Sequence, residues 1–63
     1  MNLGEKIKVL RRNQNMSQED LADKLQINRN SLSRIENDKT EATASVIKGV
    51  SSLFGVSISS LLD

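Results

Sequence analysis

The chain has no cysteine, no histidine and no proline, and only three glycines among its 63 residues. Without cysteine there is no disulfide scaffold, and without cysteine and histidine the usual zinc-finger ligands, thiol nucleophiles and imidazole bases are all missing. The serines have no histidine base beside them, so a hydrolase of the usual kind is excluded. We expect no enzyme, no cofactor and no metal. Long apolar runs are missing too, since no stretch approaches the roughly 20 apolar residues that a membrane-crossing helix needs. The segment Met1 to Leu10 lacks a signal-peptide pattern. The expected location is the cytoplasm, with no membrane partner.

What is present is 37% hydrophobic and 27% charged residues, a balance that fits a helical globule. Residues 1–63 are expected to form one domain, because chains of this size bury only about 60% of the surface they expose when unfolded. The formal net charge is only +1. Charge alone therefore argues weakly for a nucleic-acid partner, and the placement of the charges has to carry the argument.

Five helices are legible. Asn2 followed by Glu5 makes a capping pair, and Leu3, Ile7 and Leu10, with Val9 beside them, have helical spacing, which predicts a first helix over about Leu3 to Asn13. Asn15 suits a left-handed helix-ending position. Ser17 is placed to cap a short second helix, with Asp20 three residues on and Leu21, Ala22 and Leu25 on one face. Asn28 then caps a third helix that carries Leu32 and Ile35 inward, after a connection of only two or three residues. The stretch "NDKTEA" is a loop. Thr43 caps a fourth helix with Val46, Ile47, Val50, Leu53 and Phe54 on its apolar face, ended by Gly55. Ser57 starts a last helix, Ile58 to Leu62, whose Ile58, Leu61 and Leu62 are expected in the core, with a dimer contact as their other use.

The third helix has a distinctive outward side. With Leu32 and Ile35 buried, the opposite side is Asn30, Ser33 and Arg34, with Arg29 at its N-terminal flank. Arginine can donate two hydrogen bonds to guanine, asparagine can pair both ways with adenine, and serine adapts to either. Such a polar helix face is ordinarily just solvated. Two short helices joined by so tight a turn reverse that expectation, because a helix of this width fits the major groove and meets base edges with its first turn. By contrast, Lys6, Lys8 and Arg12 read as a solvated face of the first helix, with Arg12 near enough to approach a phosphate.

At this point "MSQEDLADKL" followed by "SLSRIEN", inside a similar pattern running from Leu3 to Leu62, resembles the Cro and phage-repressor family of helix-turn-helix regulators, the xenobiotic response element type. The resemblance implies an all-α, five-helix, lambda-repressor-like DNA-binding domain with its helix-turn-helix over about residues 17–36. It implies that Arg29, Asn30, Ser33 and Arg34 read bases, and that Ser17, Gln18, Asn37, Lys39 and Thr40 hold the phosphate backbone. It also implies an ion pair between Arg11 and Glu36 that ties the first helix to the end of the third.

The chain departs from the family where Asn15, Gln26 and Asp38 replace glycines, where Ala42 stands for proline, and where Glu41 occupies a loop position that can be basic. Of the three glycine replacements, Gln26 is the least suited to its turn. Gly49, inside the fourth helix, costs about 1 kcal/mol relative to alanine unless a neighbouring backbone or subunit approaches it. The expected function is a transcriptional regulator, a repressor, binding a palindromic operator in double-stranded DNA as a homodimer. The rival readings are a protein-interaction module such as an antitoxin, and the DNA-binding piece of a longer regulator. Any effector or antirepressor protein is left unidentified by the sequence.

Overall fold

The computed structural model describes all 63 residues, Met1–Asp63, as five helices with no strand. They are α1 (Leu3–Asn13), α2 (Gln18–Leu25), α3 (Arg29–Glu36), α4 (Ala44–Phe54) and α5 (Ile58–Leu62). Each begins at a side-chain cap. Asn2, Ser17, Asn28, Thr43 and Ser57 each accept a hydrogen bond from a first-turn backbone N–H, at 2.7–3.2 Å. Only Ser17 belongs to a reciprocal box, with the Asp20 carboxylate accepting from the Ser17 backbone N–H at 3.2 Å.

The helix ends follow one rule. Asn15, Gln26, Asp38 and Gly55 all have left-handed backbone, with φ of 55°, 58°, 60° and 66°. The N–H after each one reaches back five residues, Met16 to the Arg11 carbonyl, Ile27 to Ala22, Lys39 to Arg34 and Val56 to Ser51, at 2.8–3.2 Å. This closure satisfies carbonyls that would otherwise be orphaned at a helix end. Three of the four left-handed residues, Asn15, Gln26 and Asp38, carry a β-carbon, so these turns form without glycine. Gln26 adopts its turn like the others.

The core consists of Ile7, Leu21, Ala22, Leu32, Ile35, Val46, Val50 and Leu61. It sits where α1 packs on α3 and α5, α2 on α3 and α4, and α4 on α5. Three residues expected on inward faces, Leu53, Ile58 and Leu62, are exposed instead, as is Val9 beside the α1 stripe. Val9 follows Ile7 by two residues, about 200° around α1, and points outward at 41% exposure. Leu53 lies at the edge of the α4 stripe, about 60° from Val50, and is equally open. In α5 the neighbours Leu61 and Leu62 point about 100° apart, so a helix of five residues can bury only one of them. Leu61 is buried at 3%, whereas Leu62 is 59% exposed and Ile58 39%.

Two close approaches position the helices. A β-carbon at Gly4 would collide with the carbonyl oxygens of Ile35 and Glu36, so the first turn of α1 lies directly against the last turn of α3. At Gly49 the neighbour within the chain is not backbone but the tip of Leu25, 2.7 Å from where a β-carbon would stand. Lys6, expected in a solvated face, instead donates to the carbonyl oxygens of Ser60 at 3.0 Å and Leu61 at 3.3 Å. A cation at the C-terminal end of a helix meets unpaired carbonyls and the negative end of its dipole.

Candidate nucleic-acid interface

The candidate site starts with the turn that sets α3 against α2. Only Gln26, Ile27 and the cap Asn28 separate the two helices. Leu21 and Ala22 of α2 and Leu32 and Ile35 of α3 are buried together, which fixes the inner side of α3. Its outer side is left free. Arg29, Asn30 and Arg34 are exposed, and none of their side chains hydrogen-bonds or ion-pairs within the protein. The Asn28 side chain takes only the backbone N–H of Asn30, at 2.7 Å.

Beneath this face lies a buried polar cluster. The Arg11 guanidinium donates from Nε to Glu36 Oε2 at 2.8 Å and from Nη2 to Oε1 at 3.0 Å. Its Nη1 donates to the Met16 carbonyl at 2.8 Å. Glu36 is 1% exposed and Arg11 7%. No buried side-chain polar atom lacks a partner. Such a two-pronged pair is geometrically demanding, and a buried pair with its remaining donors satisfied fixes orientation more than it adds stability. Here it locks the end of α3 to α1 and to the connection before α2.

The remaining expected contact residues divide into two groups. Gln18 and Ser17, at the start of α2, are already engaged: Gln18 Nε2 donates to Glu36 Oε1 at 3.0 Å, and the Ser17 hydroxyl accepts the Asp20 N–H. Each keeps one free hydrogen to donate. At the other end of α3, Ser33 is half-buried, and its hydroxyl accepts from Asn37 Nδ2 at 3.4 Å. Lys39 and Thr40 are exposed, with no partner for either side chain. The site is therefore a protruding α3 flanked by a capped helix start on one side and an exposed loop on the other.

Sequence reasoning did not anticipate the bond from Gln18 to Glu36. Nor did it anticipate that Lys8 Nζ lies 3.4 Å from Asn37 Oδ1. Both depend on which helices meet in space, although the helical row Gly4, Lys8 and Arg11 was a usable sign that one side of α1 faces a single neighbour.

Two packed helices joined by a tight turn, the second with an unengaged polar face, define a helix-turn-helix protein. A family model described as helix-turn-helix matches residues 7–61, and the chain belongs to that family, of the Cro and phage-repressor type. The N-terminal DNA binding domain of SinR from Bacillus subtilis superposes with a TM-score of 0.87 at 31% identity, over 97% of this chain and 90% of that one. SinR in complex with DNA, described as the master regulator for biofilm formation, gives 0.85 at 31% identity over 97% and 98%. The complex of SinR with SinI gives 0.85 at 31% identity over 97% of this chain and 60% of that one. A comparison with curated proteins returned no match. No helix is long and apolar enough to cross a membrane.

Proposed function

We propose that this chain is a sequence-specific DNA-binding transcriptional regulator that places α3 in the major groove of a palindromic operator as a homodimer and represses by occupying it. The observation that carries this reading is the exposed, unpartnered row of Arg29, Asn30 and Arg34 on a helix whose other side is pinned by the core and by the Arg11–Glu36 pair. Rigid presentation of donors lowers the cost of ordering them at a base edge. The family membership and the SinR structures, one of them bound to DNA, support the same reading.

In this arrangement Arg29, Asn30 and Arg34 supply sequence choice and Ser33 adds a short contact. Ser17, Gln18, Asn37, Lys39 and Thr40 hold phosphates and set position. The positive end of the α2 dipole adds to the first two of these. Exposed Ile58 and Leu62 on α5 supply apolar surface for the second copy. A single module reads few base pairs, so pairing on half-sites one helical turn apart raises both affinity and specificity. A cytoplasmic location goes with this proposed role.

Selection from random duplex DNA tests the whole reading. The expected product is a palindrome with half-sites about 10 base pairs apart. Recovery of no preferred duplex rejects sequence-specific binding, and recovery of a single unrepeated half-site rejects the dimer.

A further inference from the structure

We propose that Lys8 of α1 is a phosphate-contacting residue of the same DNA interface, so that the footprint extends beyond the helix-turn-helix and its following loop. The inference rests on the DNA-binding reading above. Its starting point is the row Gly4, Lys8 and Arg11, which occupies one side of α1 and lies along the C-terminal end of α3. Gly4 lies against the carbonyls of Ile35 and Glu36, Arg11 pairs with Glu36, and Lys8 Nζ reaches Asn37 Oδ1 at 3.4 Å.

The two cations of this row differ in one respect. Arg11 is neutralised by Glu36, whereas Lys8 meets only a neutral amide and has no acidic partner within ion-pairing distance. Its charge is thus held unpaired beside Asn37, at the start of the loop expected to grip the backbone. That loop is poorly equipped for the task. From Asn37 to Glu41 it carries one lysine against Asp38 and Glu41, a formal charge of −1. The net charge of this loop adds no attraction for a phosphate beyond the local contacts of Lys39, and the Lys8 ammonium brings the local sum to zero.

Asn37 links this lysine to the recognition helix. Its Oδ1 accepts from Lys8 while its Nδ2 donates to Ser33, so one amide spans from α1 to α3. A phosphate oxygen seated near Asn37 is therefore within reach of a flexible ammonium that needs only to swing away from a 3.4 Å contact.

The test is the salt dependence of binding to the duplex recovered by selection and to a scrambled duplex of equal length, between 50 and 200 mM salt as in the range over which such slopes are commonly read. Lys8→Gln removes the charge but keeps a donor for Asn37, so a purely structural role would leave the slope unmoved. The expected result is a slope shallower by about 0.9 for each bound protomer, hence about 1.8 for the dimer, with equal weakening on both duplexes. Lys8→Arg should restore the slope, and Lys48→Gln on α4 should leave it unchanged. An unaltered slope for Lys8→Gln overturns the proposal. If Lys39→Ala still flattens the slope in that case, the wider DNA-binding reading stands; if the unaltered chain prefers no duplex at all, both fall together. Thermal melting of each variant separates lost contacts from lost folding.

Discussion

Arg11 and Glu36 stand 25 residues apart, yet two parallel hydrogen bonds of 2.8 and 3.0 Å join them inside the protein. The same carboxylate also receives Gln18, so a single acid ties together α1, α2 and α3. The pair fixes how the outward face of α3 stands relative to the start of α2, and that geometry is what a DNA groove would meet.

Glu36→Ala should therefore be severe. It strands a buried guanidinium with no counter-charge, at a cost of about 3–5 kcal/mol, a large share of the roughly 5–15 kcal/mol that holds a typical domain. The double variant Arg11→Met with Glu36→Leu should recover part of that loss, since an apolar replacement of a whole pair avoids the stranded charge. Urea denaturation of the three proteins measures both effects. A single-variant loss below about 1 kcal/mol would mean the pair is not desolvated as the structure has it.

Arg34→Ala and Lys39→Ala should separate sequence choice from position. The first should reduce discrimination between the selected and scrambled duplexes by about 1–3 kcal/mol, while the second weakens both alike and flattens the salt dependence. Titrations on both duplexes decide it. Identical behaviour of the two variants would contradict the assigned roles.

The two helical glycines should respond differently to the same change. Gly4→Ala drives a methyl group into the backbone carbonyls of Ile35 and Glu36, which cannot move without shifting α3, and we expect destabilisation of about 1–3 kcal/mol. Gly49→Ala meets only the tip of Leu25, which can rotate, and gains about 1 kcal/mol of helix propensity. The net effect there should be near zero. Comparison of melting midpoints checks the pair, and equal losses would sink the distinction.

Gln26→Gly should stabilise. The residue is exposed, makes no side-chain hydrogen bond and holds φ of 58°, a conformation that costs a residue with a β-carbon about 1–2 kcal/mol. Even after the extra backbone entropy of glycine, a gain of about 1 kcal/mol should remain, or roughly 4–8 °C in midpoint for a domain of this size. A fall in the midpoint would show that the turn draws on the glutamine side chain.

The helices were legible because their signals are local. A cap such as Ser17 or Thr43 bonds a backbone N–H three residues away, and the spacing of Leu32 and Ile35 alone marks which side of α3 is buried. The polar flank followed from that, whereas the resemblance to the helix-turn-helix regulators rested on the residues of "MSQEDLADKL" and "SLSRIEN". Less legible were residues whose fate depends on a distant neighbour. Nothing near Lys6 tells it apart from Lys8, yet one closes the end of α5 and the other reaches the loop after α3. The exposure of Leu62 beside a buried Leu61 likewise depends on which way a five-residue helix lies against α1 and α4.

By itself, the sequence determined where each helix starts and stops and which flank of the third one is polar, because capping and periodicity act over three or four residues. Only the tertiary structure decided that Glu36 gathers Arg11 and Gln18, that Gly4 admits the end of α3, and that Lys8 stands unpaired beside Asn37. Those are contacts between segments far apart in the chain, and their geometry is fixed by how the helices pack around the shared core.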